Sequence, residues 1–224
     1  MQRHWSRVAL AVAAMVVVAT AVGDAQGLKA PGGWKWLPDN PVTVIATLDP
    51  KPDEFTFTTM APGWHITSRP AAALFEPTVI AAGRYAVESE VFLFPGTSAS
   101  GFGVFVGGRG LDTATASYVA FVVRRDGSAA VERHEGAATT LMQPWTRHAA
   151  ITPHPGGNDT VKHVLRVEAE ATQVTFLVNG TKVLDVPRTP DLFDGTVGLR
   201  IGADLNLHVT NLDVTRRLAL PRKK

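Results

Sequence analysis

The sequence predicts an all-β protein built as a two-sheet antiparallel sandwich. Short stretches of alternating apolar and polar residues follow one another from residue 54 onward, and Gly, Pro, Asp or Asn bound each of them. No segment after residue 25 keeps apolar residues at helical spacing for two or more turns. Two dipeptides, Asn179-Gly180 and Asp126-Gly127, separate apolar runs in the manner of tight hairpin turns.

The first 25 residues are distinct from this β-rich region. Two arginines precede an apolar run at 8–22, which is shorter than a membrane-spanning helix. Gly23 and Ala25 then provide small residues at the −3 and −1 positions of a cleavage site before Gln26. We predict a signal-peptide helix over 1–25 and a secreted or periplasmic mature protein with no transmembrane anchor. Retention of the segment as an uncleaved anchor is the alternative.

The chain divides into four predicted segments. They are the signal peptide at 1–25, a Pro/Gly-rich leader at 26–53, the β-sandwich at 54–215 and a basic tail at 216–224. A strand-like stretch at 42–48 interrupts the leader. Trp34 and Trp36 in the leader are expected to cover an edge of the core, since large aromatic side chains are mostly buried.

Composition excludes several classes of function. The chain has no cysteine, so disulfides, thiolate nucleophiles and cysteine–zinc sites are ruled out. The formal net charge of the chain is +2, yet residues 26–215 sum to −4 and the tail holds five cations and no acid. No basic stripe with interleaved aromatic residues is present, so nucleic acid is not an expected partner.

Alternation defines the strands in order and gives each of them two faces. The predicted strands cover 54–59, 64–69, 78–82, 84–94, 101–106, 117–125, 129–135, 148–152, 163–170, 173–180, 181–186, 196–202 and 205–214. In the strand at 84–94, Val87 and Val91 lie on the face opposite Glu88 and Glu90. Each strand is therefore expected to be half buried, as two sheets packed face to face require.

The last predicted strand changes phase before it ends. Leu205, Leu207 and Val209 share one parity, whereas Leu212 and Val214 take the other. One extra residue in a strand is typical of a β-bulge, which bends the strand and redirects its side chains. A final bulged strand that folds back would close the sandwich.

The C-terminal half carries motifs of a known fold family. Asn179-Gly180 forms a hairpin signal, "GTVGL" follows at 195–199, and Asn211 stands near the end of an apolar strand. This pattern resembles the C-terminal half of concanavalin A-like jelly-roll domains, which include lectin, glucanase and laminin-G-like members. It is also similar to bacterial exported 3-keto-disaccharide hydrolase-type domains. The resemblance covers roughly 55–214, and it implies a fold more than a chemistry.

The resemblance implies a ligand-binding sheet face or loop edge, and the mixed acidic, guanidinium and aromatic side chains predict a carbohydrate or cell-surface glycan as the ligand, bound without turnover. Aromatic rings stack on sugars, while Arg, Glu and His bind hydroxyl groups. The candidate ligand-binding residues are Trp64, Glu88, Glu90, Arg109, Tyr118, Arg124, His134 and Trp145. We expect Glu88, Glu90, Tyr118 and Arg124 to share one solvent-facing surface, because each lies opposite the apolar parity of its strand and consecutive strands are usually neighbours.

Two other functions remain open. Glu88 and Glu90 share a strand face with Cα atoms about 6.6 Å apart, so their carboxyl groups could approach the ~5–5.5 Å separation of a retaining glycosidase. A glycoside hydrolase of the sandwich glucanase or 3-keto-disaccharide hydrolase type is the first alternative, with these two glutamates as catalytic residues. An E-x-D-x-x-E pattern would place a further acid after Glu90, but Phe92 and Leu93 stand there. A laminin-G-like protein-interaction module is the second alternative.

No cofactor is expected. No two histidines stand at i and i+2 on one strand or in an H-E-x-x-H pattern, so zinc would require residues that only the fold brings together. Calcium is left open, because Asp side chains and carbonyl oxygens in loops suffice as its ligands.

Overall fold

The computed structural model describes residues 31–39 and 55–217, which form fifteen strands and one short helix. The strands are β1 (Lys35–Pro38), β2 (Phe55–Thr59), β3 (Trp64–Ser68), β4 (Ala72–Ala81), β5 (Tyr85–Leu93), β6 (Phe102–Arg109), β7 (Ser117–Val123), β8 (Ser128–Glu135), β9 (Ala138–Arg147), β10 (Val161–Ala169), β11 (Gln173–Val178), β12 (Thr181–Pro187), β13 (Gly195–Ile201), β14 (Leu205–Val209) and β15 (Asp213–Arg216). The helix is α1 (Pro190–Phe193). The predicted signal peptide, the stretch at 42–48 and tail residues 218–224 lie outside the described residues. No helix within the described ranges is long and apolar enough to cross a membrane.

The strands form two antiparallel sheets. Sheet A has the order β1-β4-β13-β6-β7-β8-β9, and sheet B has the order β12-β11-β10-β5-β14-β3-β2, with β15 also paired to β5. The chain changes sheet repeatedly, for example between β5 and β6 and between β9 and β10. The predicted two-sheet antiparallel sandwich is confirmed.

The main core lies between the two sheets. Val119, Phe121 and Val123 alternate along β7 and are at most 1% exposed, because they face sheet B. The Phe121 ring meets that of Phe176 on β11 at 5.1 Å between centroids. Full burial of a Val, Leu or Phe side chain stabilises a fold by about 1.5–3 kcal/mol. The repeated alternation of such residues therefore accounts for the two-layer arrangement.

Part of the Pro/Gly-rich leader belongs to the sandwich. Strand β1 pairs with β4 at the edge of sheet A. Trp36 is 8% exposed and stacks on Phe55, with centroids 5.4 Å apart. Trp34 packs against Trp64 at 5.0 Å. The expectation that both leader tryptophans cover a core edge is confirmed, and Trp64 lies in the same aromatic edge.

Both predicted hairpin turns are present. Asn179 and Gly180 have φ of 51° and 77°, and they connect the paired strands β11 and β12. Asn and Gly are the residues that tolerate this left-handed backbone best. Gly127 has φ of 84° in the turn from β7 to β8, where the Asp126 carboxylate accepts hydrogen bonds from the backbone and hydroxyl of Ser128.

The phase change at the end of the sequence is a β-bulge. Strands β14 and β15 both pair with β5, with Val209 opposite Val91 and Asp213 opposite Glu88. Four steps along one strand therefore match three along the other, so the final strand holds one extra residue. The predicted bulge is confirmed.

Asn211 fixes the bulge. Its side-chain oxygen accepts a hydrogen bond from the backbone N–H of Glu90 at 2.9 Å. Its backbone carbonyl accepts one from the hydroxyl of Ser89 at 2.8 Å. The asparagine thus replaces ladder hydrogen bonds that the extra residue interrupts.

The predicted shared surface of Glu88, Glu90, Tyr118 and Arg124 is wrong. The two glutamates lie on β5 in sheet B, whereas Tyr118 lies on β7 and Arg124 follows it in sheet A. The chain crosses between the sheets after β5, so strands that follow one another in sequence are not neighbours here. Tyr118 is also only 5% exposed, although its parity was expected to face solvent.

One predicted strand is wrong, and two strands, β1 and β9, were not predicted. Residues 148–152 form a turn in which Ile151 is buried, and the strand before it is β9. Strand β9 lies at the edge of sheet A and contains Pro144, which only an edge strand tolerates well. Its side chains are mostly exposed, so it lacks the apolar alternation that identified the other strands.

Candidate functional site

The face of sheet A that points away from sheet B, called here the outer face, is also apolar. It holds a second cluster of buried residues, with Trp145 packed against them: Leu37, Ala73, Phe75, Phe105, Leu111, Ala116, Tyr118, Ala120, Val122 and Ala130. Alternation places Tyr118, Ala120 and Val122 on this side of β7. Polar side chains surround the cluster, so the outer face has an apolar centre and a charged periphery.

A buried ion pair joins β1 to the centre of the sheet. Arg200 on β13 is 7% exposed, and its guanidinium donates two hydrogen bonds to the Asp39 carboxylate at 2.6 and 2.5 Å. Burial alone would lower the pKa of Arg200, but the nearby Tyr118 and the hydrogen bonds to Asp39 raise it overall. The guanidinium therefore remains charged on the outer face.

A stacked pair of rings, Tyr118 and His134, lies beside this ion pair. Their centroids are 4.4 Å apart with the planes 12° from parallel, and Phe105 covers Tyr118 at 4.8 Å. Nε2 of His134 lies 3.1 Å from the Glu132 carboxylate, and Nδ1 lies 3.1 Å from the Thr139 hydroxyl. Burial raises the pKa of Tyr118, so its phenol stays neutral. The hydroxyl makes no hydrogen bond to any residue that the structure describes.

A cavity of about 200 Å³ opens next to this pair, at the start of β7. Its lining includes Arg109, Ser117, Tyr118, Arg133, His134, Asp191 and Leu192. A smaller cavity of about 40 Å³ lies between the pair and Leu37. Tyr118 and His134 therefore line both cavities.

A bulge in β6 shapes the larger of these cavities. Val106 pairs with Val119 and Arg109 with Ser117, so β6 holds one extra residue here. Gly107 has φ of 68°, and a Cβ atom at this position would lie 1.8 Å from the carbonyl oxygen of Leu192. The close approach lets α1 close one side of the cavity. Bulges commonly redirect side chains next to functional sites, and this one directs Arg109 to the rim.

The other end of β7 carries a second polar group. The guanidinium carbon of Arg124 lies 3.4 Å from the centre of the Trp145 ring, a cation–π contact. The tip of that ring lies over Gly101, where a Cβ atom would be only 2.9 Å away. An open cavity of about 390 Å³ adjoins Arg124.

Comparison with known proteins identifies the fold. No protein-family model and no curated protein sequence matches the chain. The carbohydrate-binding module CBM66 of Bacillus subtilis is 14% identical with a TM-score of 0.59, over 82% of this chain and 95% of that one. A Bacillus subtilis protein of unknown function with a galectin-like fold is 13% identical with a TM-score of 0.56, over 82% and 90%. A Bacteroides ovatus mixed linkage glucan GH16 protein, in complex with a G4G4G3G product, is 10% identical with a TM-score of 0.53, over 84% and 97%.

The fold is the concanavalin A-like jelly roll. This confirms the resemblance found in the sequence. At 10% to 14% identity the likeness establishes the fold alone, so the chemistry of this jelly roll has to be argued from its own side chains.

Five of the eight candidate residues converge on sheet A of the jelly roll. Arg109, Tyr118 and His134 line the cavity of about 200 Å³, and Arg124 and Trp145 lie at the opposite end of β7. The predicted stacking of sugars on these aromatic faces does not fit the geometry. Tyr118 lies between two rings and the guanidinium of Arg124 covers Trp145, so Tyr118 offers its hydroxyl group instead.

The other three candidates lie on sheet B. Glu88 binds Arg166 and Glu90 binds Lys162, each at 3.0 Å, so both carboxylates are paired with a cation. Trp64 belongs to the aromatic core edge. None of the three reaches the outer face of sheet A.

Sequence reasoning missed several polar residues of the site. They are Asp39, Arg125, Glu132, Arg147 and Arg200. Glu132 and Arg200 were detectable, because each stands opposite the apolar parity of its strand. Asp39 and Arg147 gave no such signal, since they reach the site through contacts distant in sequence.

The histidines provide a pair but no larger cluster. His65 on β3 and His208 on β14 are directly opposite each other, an arrangement that only the fold creates. Burial and the neighbouring His208 lower the pKa of His65. Among the residues with described positions, no group of three or more His, Asp or Glu side chains could hold a metal ion. Calcium binding stays a prediction.

Proposed function

We propose that this jelly roll binds a carbohydrate without turning it over, at the cavity of about 200 Å³ beside Tyr118 and His134. The hydroxyl of Tyr118, a residue that lines that cavity and whose ring lies between two others, carries the proposal. A neutral hydroxyl on a fixed ring can both donate to and accept from a sugar hydroxyl without a large loss of side-chain entropy.

The remaining lining suits a hydroxyl-rich ligand. Arg109 donates to the carbonyl of Asp194 and Arg133 to Glu135, but each guanidinium keeps further N–H donors. Asp191 supplies an acceptor, and Ser117 supplies a donor and an acceptor. Sugars present both kinds of group, so mixed donors and acceptors fit them better than a lining of one charge. The similar structures include a carbohydrate-binding module and a mixed linkage glucan GH16 protein, which supports a ligand of this class.

The absence of turnover is proposed from the engagement of the acid and base groups. Both ring nitrogens of His134 have partners, Glu132 and Thr139, so neither is free to take a proton from a substrate. Glu88 and Glu90 are paired with cations on sheet B. The glycoside hydrolase alternative would require one of these groups to lose its partner on substrate binding.

Export completes the proposal. The apolar run at 8–22 and the small residues before Gln26 support cleavage and a secreted or periplasmic mature protein. Intact-mass measurement of protein recovered from the producing cells checks this. The expected mass is that of a chain that begins at Gln26. A full-length intracellular species would contradict it.

A glycan array with product analysis on every hit tests the binding function. Tyr118→Phe removes one hydroxyl and Arg109→Gln removes one guanidinium, and each should weaken the affinity for hits about three- to tenfold. Arg216→Gln is the matched control, because Arg216, on sheet B, donates to the carbonyl of Ile80 as Arg109 donates to that of Asp194. Its affinity should equal that of the wild type.

Three results would contradict the proposal. Cleavage of a bound glycan that Glu90→Gln abolishes would establish the hydrolase alternative. Affinities that Tyr118→Phe and Arg109→Gln leave unchanged would place the ligand elsewhere. Binding of no glycan at all would leave the protein-interaction module as the surviving function.

A further inference from the structure

The largest of the cavities described above, about 390 Å³, lies where β7 ends and is rich in arginine. Arg124, Arg125 and Arg147 contribute to its lining, together with the hydroxyl-bearing residues Thr97 and Ser98. The lining includes one carboxylate, that of Asp126. Such an excess of cations contrasts with residues 26–215 as a whole, whose net charge is −4.

Two of these arginines form no close ion pair with a carboxylate that the structure describes. The Arg124 side chain makes no hydrogen bond and no close ion pair within the described ranges, and its buried Nε has no partner; only the longer-range charge of Asp126 acts on it. Arg125 donates one hydrogen bond to the carbonyl of Phe94 at 2.9 Å, while its Nε and its other terminal nitrogen are buried without partners. By comparison, Arg166 and Arg200 each donate to carboxylates.

Asp126 offsets only part of this charge, because it supplies one carboxylate against three guanidinium groups. Two hydrogen bonds from Ser128, at 2.6 and 3.0 Å, engage one of its oxygens and lower its pKa, and the charges of Arg147 and Arg124 help to lower it. The other oxygen lies 3.9 Å from Arg147, whose side chain is 78% exposed. Burial lowers the pKa of Arg125, which is the sign of a guanidinium that has lost water and gained no compensating charge.

We propose that this cavity binds the anionic group of an acidic saccharide, either the carboxylate of a uronate or a sulfate ester. Guanidinium groups bind planar and tetrahedral oxyanions with charge-assisted hydrogen bonds, which are the strongest that side chains form. A volume of about 390 Å³ lies in the range of sites for organic ligands, so the anion is part of a larger molecule. The hydroxyl groups of Thr97 and Ser98 suit the rest of a sugar ring.

The inference rests on the proposed carbohydrate function but concerns a separate place on sheet A. Ser117 lines the cavity at the start of β7, whereas Arg124 lines this one. Seven residues of extended strand separate them by about 23 Å. A substitution in one cavity therefore leaves the other intact, and the two proposals can fail independently.

The test is an array that carries neutral, uronate-bearing and sulfated glycans. Wild type is expected to bind acidic glycans at least tenfold more tightly than their neutral counterparts. For the best acidic hit, calorimetry then compares wild type with Arg124→Gln and Arg147→Gln, and each substitution should weaken binding about tenfold or more. Arg124→Lys should restore part of the loss, because it retains the charge. Arg216→Gln on sheet B is the matched control and should bind as wild type does.

The uronate and sulfated arms show which anion is recognised. Equal affinity for acidic and neutral glycans, with no effect of the two Gln variants, would overturn the inference and leave the proposed function intact. Binding of no glycan would overturn both. Arg147 is largely exposed, so Arg147→Gln should fold normally; an unchanged melting temperature verifies this and makes a negative binding result decisive.

Discussion

Arg200 lies almost fully buried on the outer face of sheet A, where the carboxylate of Asp39 accepts two hydrogen bonds from its guanidinium. Removal of one partner from a buried ion pair is costly, because the remaining charge has neither water nor a counter-ion. The Asp39 side chain is 39% exposed, so water can replace part of the interaction. We expect Asp39→Ala to lower the free energy of unfolding by about 2–3 kcal/mol, as measured by urea denaturation.

Asp191→Ala is the matched control for Asp39→Ala. The Asp191 side chain is 90% exposed and reaches Arg109 only at 4.0 Å. Exposed pairs of this kind contribute little, so the control should change the free energy of unfolding by less than about 0.5 kcal/mol. Equal losses in the two variants would mean that the buried pair has no special role.

For a single residue, the sequence predicts which face of the strand the side chain lies on, but it does not predict the partner of that side chain. Alternation with Leu199 and Ile201 predicts that Arg200 faces away from the core. Its partner Asp39 is 161 residues away, in the leader. The same limit applies to Arg124: its place opposite the apolar parity was predictable, whereas its contact with the Trp145 ring was not.

At the scale of single elements, the turn between β11 and β12 offers a sharp test. Gly180 has φ of 77°, and a Cβ atom there would meet nothing within 4 Å. Any cost of substitution is therefore a backbone cost, without steric clash. We expect Gly180→Val to lower the free energy of unfolding by about 1–2 kcal/mol, because β-branched residues disfavour positive φ.

Gly180→Asn is the control within the same turn. Asn tolerates the left-handed region, so this variant should lose clearly less stability than Gly180→Val in the same denaturation experiment. Equal losses would show that contacts of the side chain, not the φ of residue 180, determine the effect.

Elements were predictable where the signal was local. The hairpin at Asn179-Gly180 and the final bulge follow from adjacent residues, and both are confirmed. Strand β9 was missed because an exposed edge strand has no apolar periodicity. The sheet to which each strand belongs was not predictable either, since crossovers such as the one after β5 depend on how the whole sandwich closes.

For the molecule as a whole, one histidine lies in the core between the two sheets. His163 on β10 is 1% exposed, its ring meets that of Phe102 on β6 at 6.0 Å, and its Nδ1 has no partner. Burial lowers the pKa of His163 from 6.5 to about 4. The neutral ring fits the core, but a charged ring there would have neither water nor an acidic partner among the described residues.

This burial makes the stability of the sandwich depend on pH. Between pH 6.5 and about 4 the unfolded chain binds a proton at His163 that the folded chain does not, so stability falls as the pH is lowered through that window. This shift of the His163 pKa corresponds to a loss of roughly 3 kcal/mol in the free energy of unfolding by pH 4. Urea denaturation at a series of pH values measures this effect. Between pH 7 and pH 4, the free energy of unfolding should fall by roughly 3 kcal/mol less in His163→Leu than in wild type. Val91→Ala truncates the residue paired with His163 on β5. This variant should instead lower the free energy of unfolding by the same amount at every pH. A His163→Leu curve parallel to that of wild type would show that the histidine is protonated within the fold.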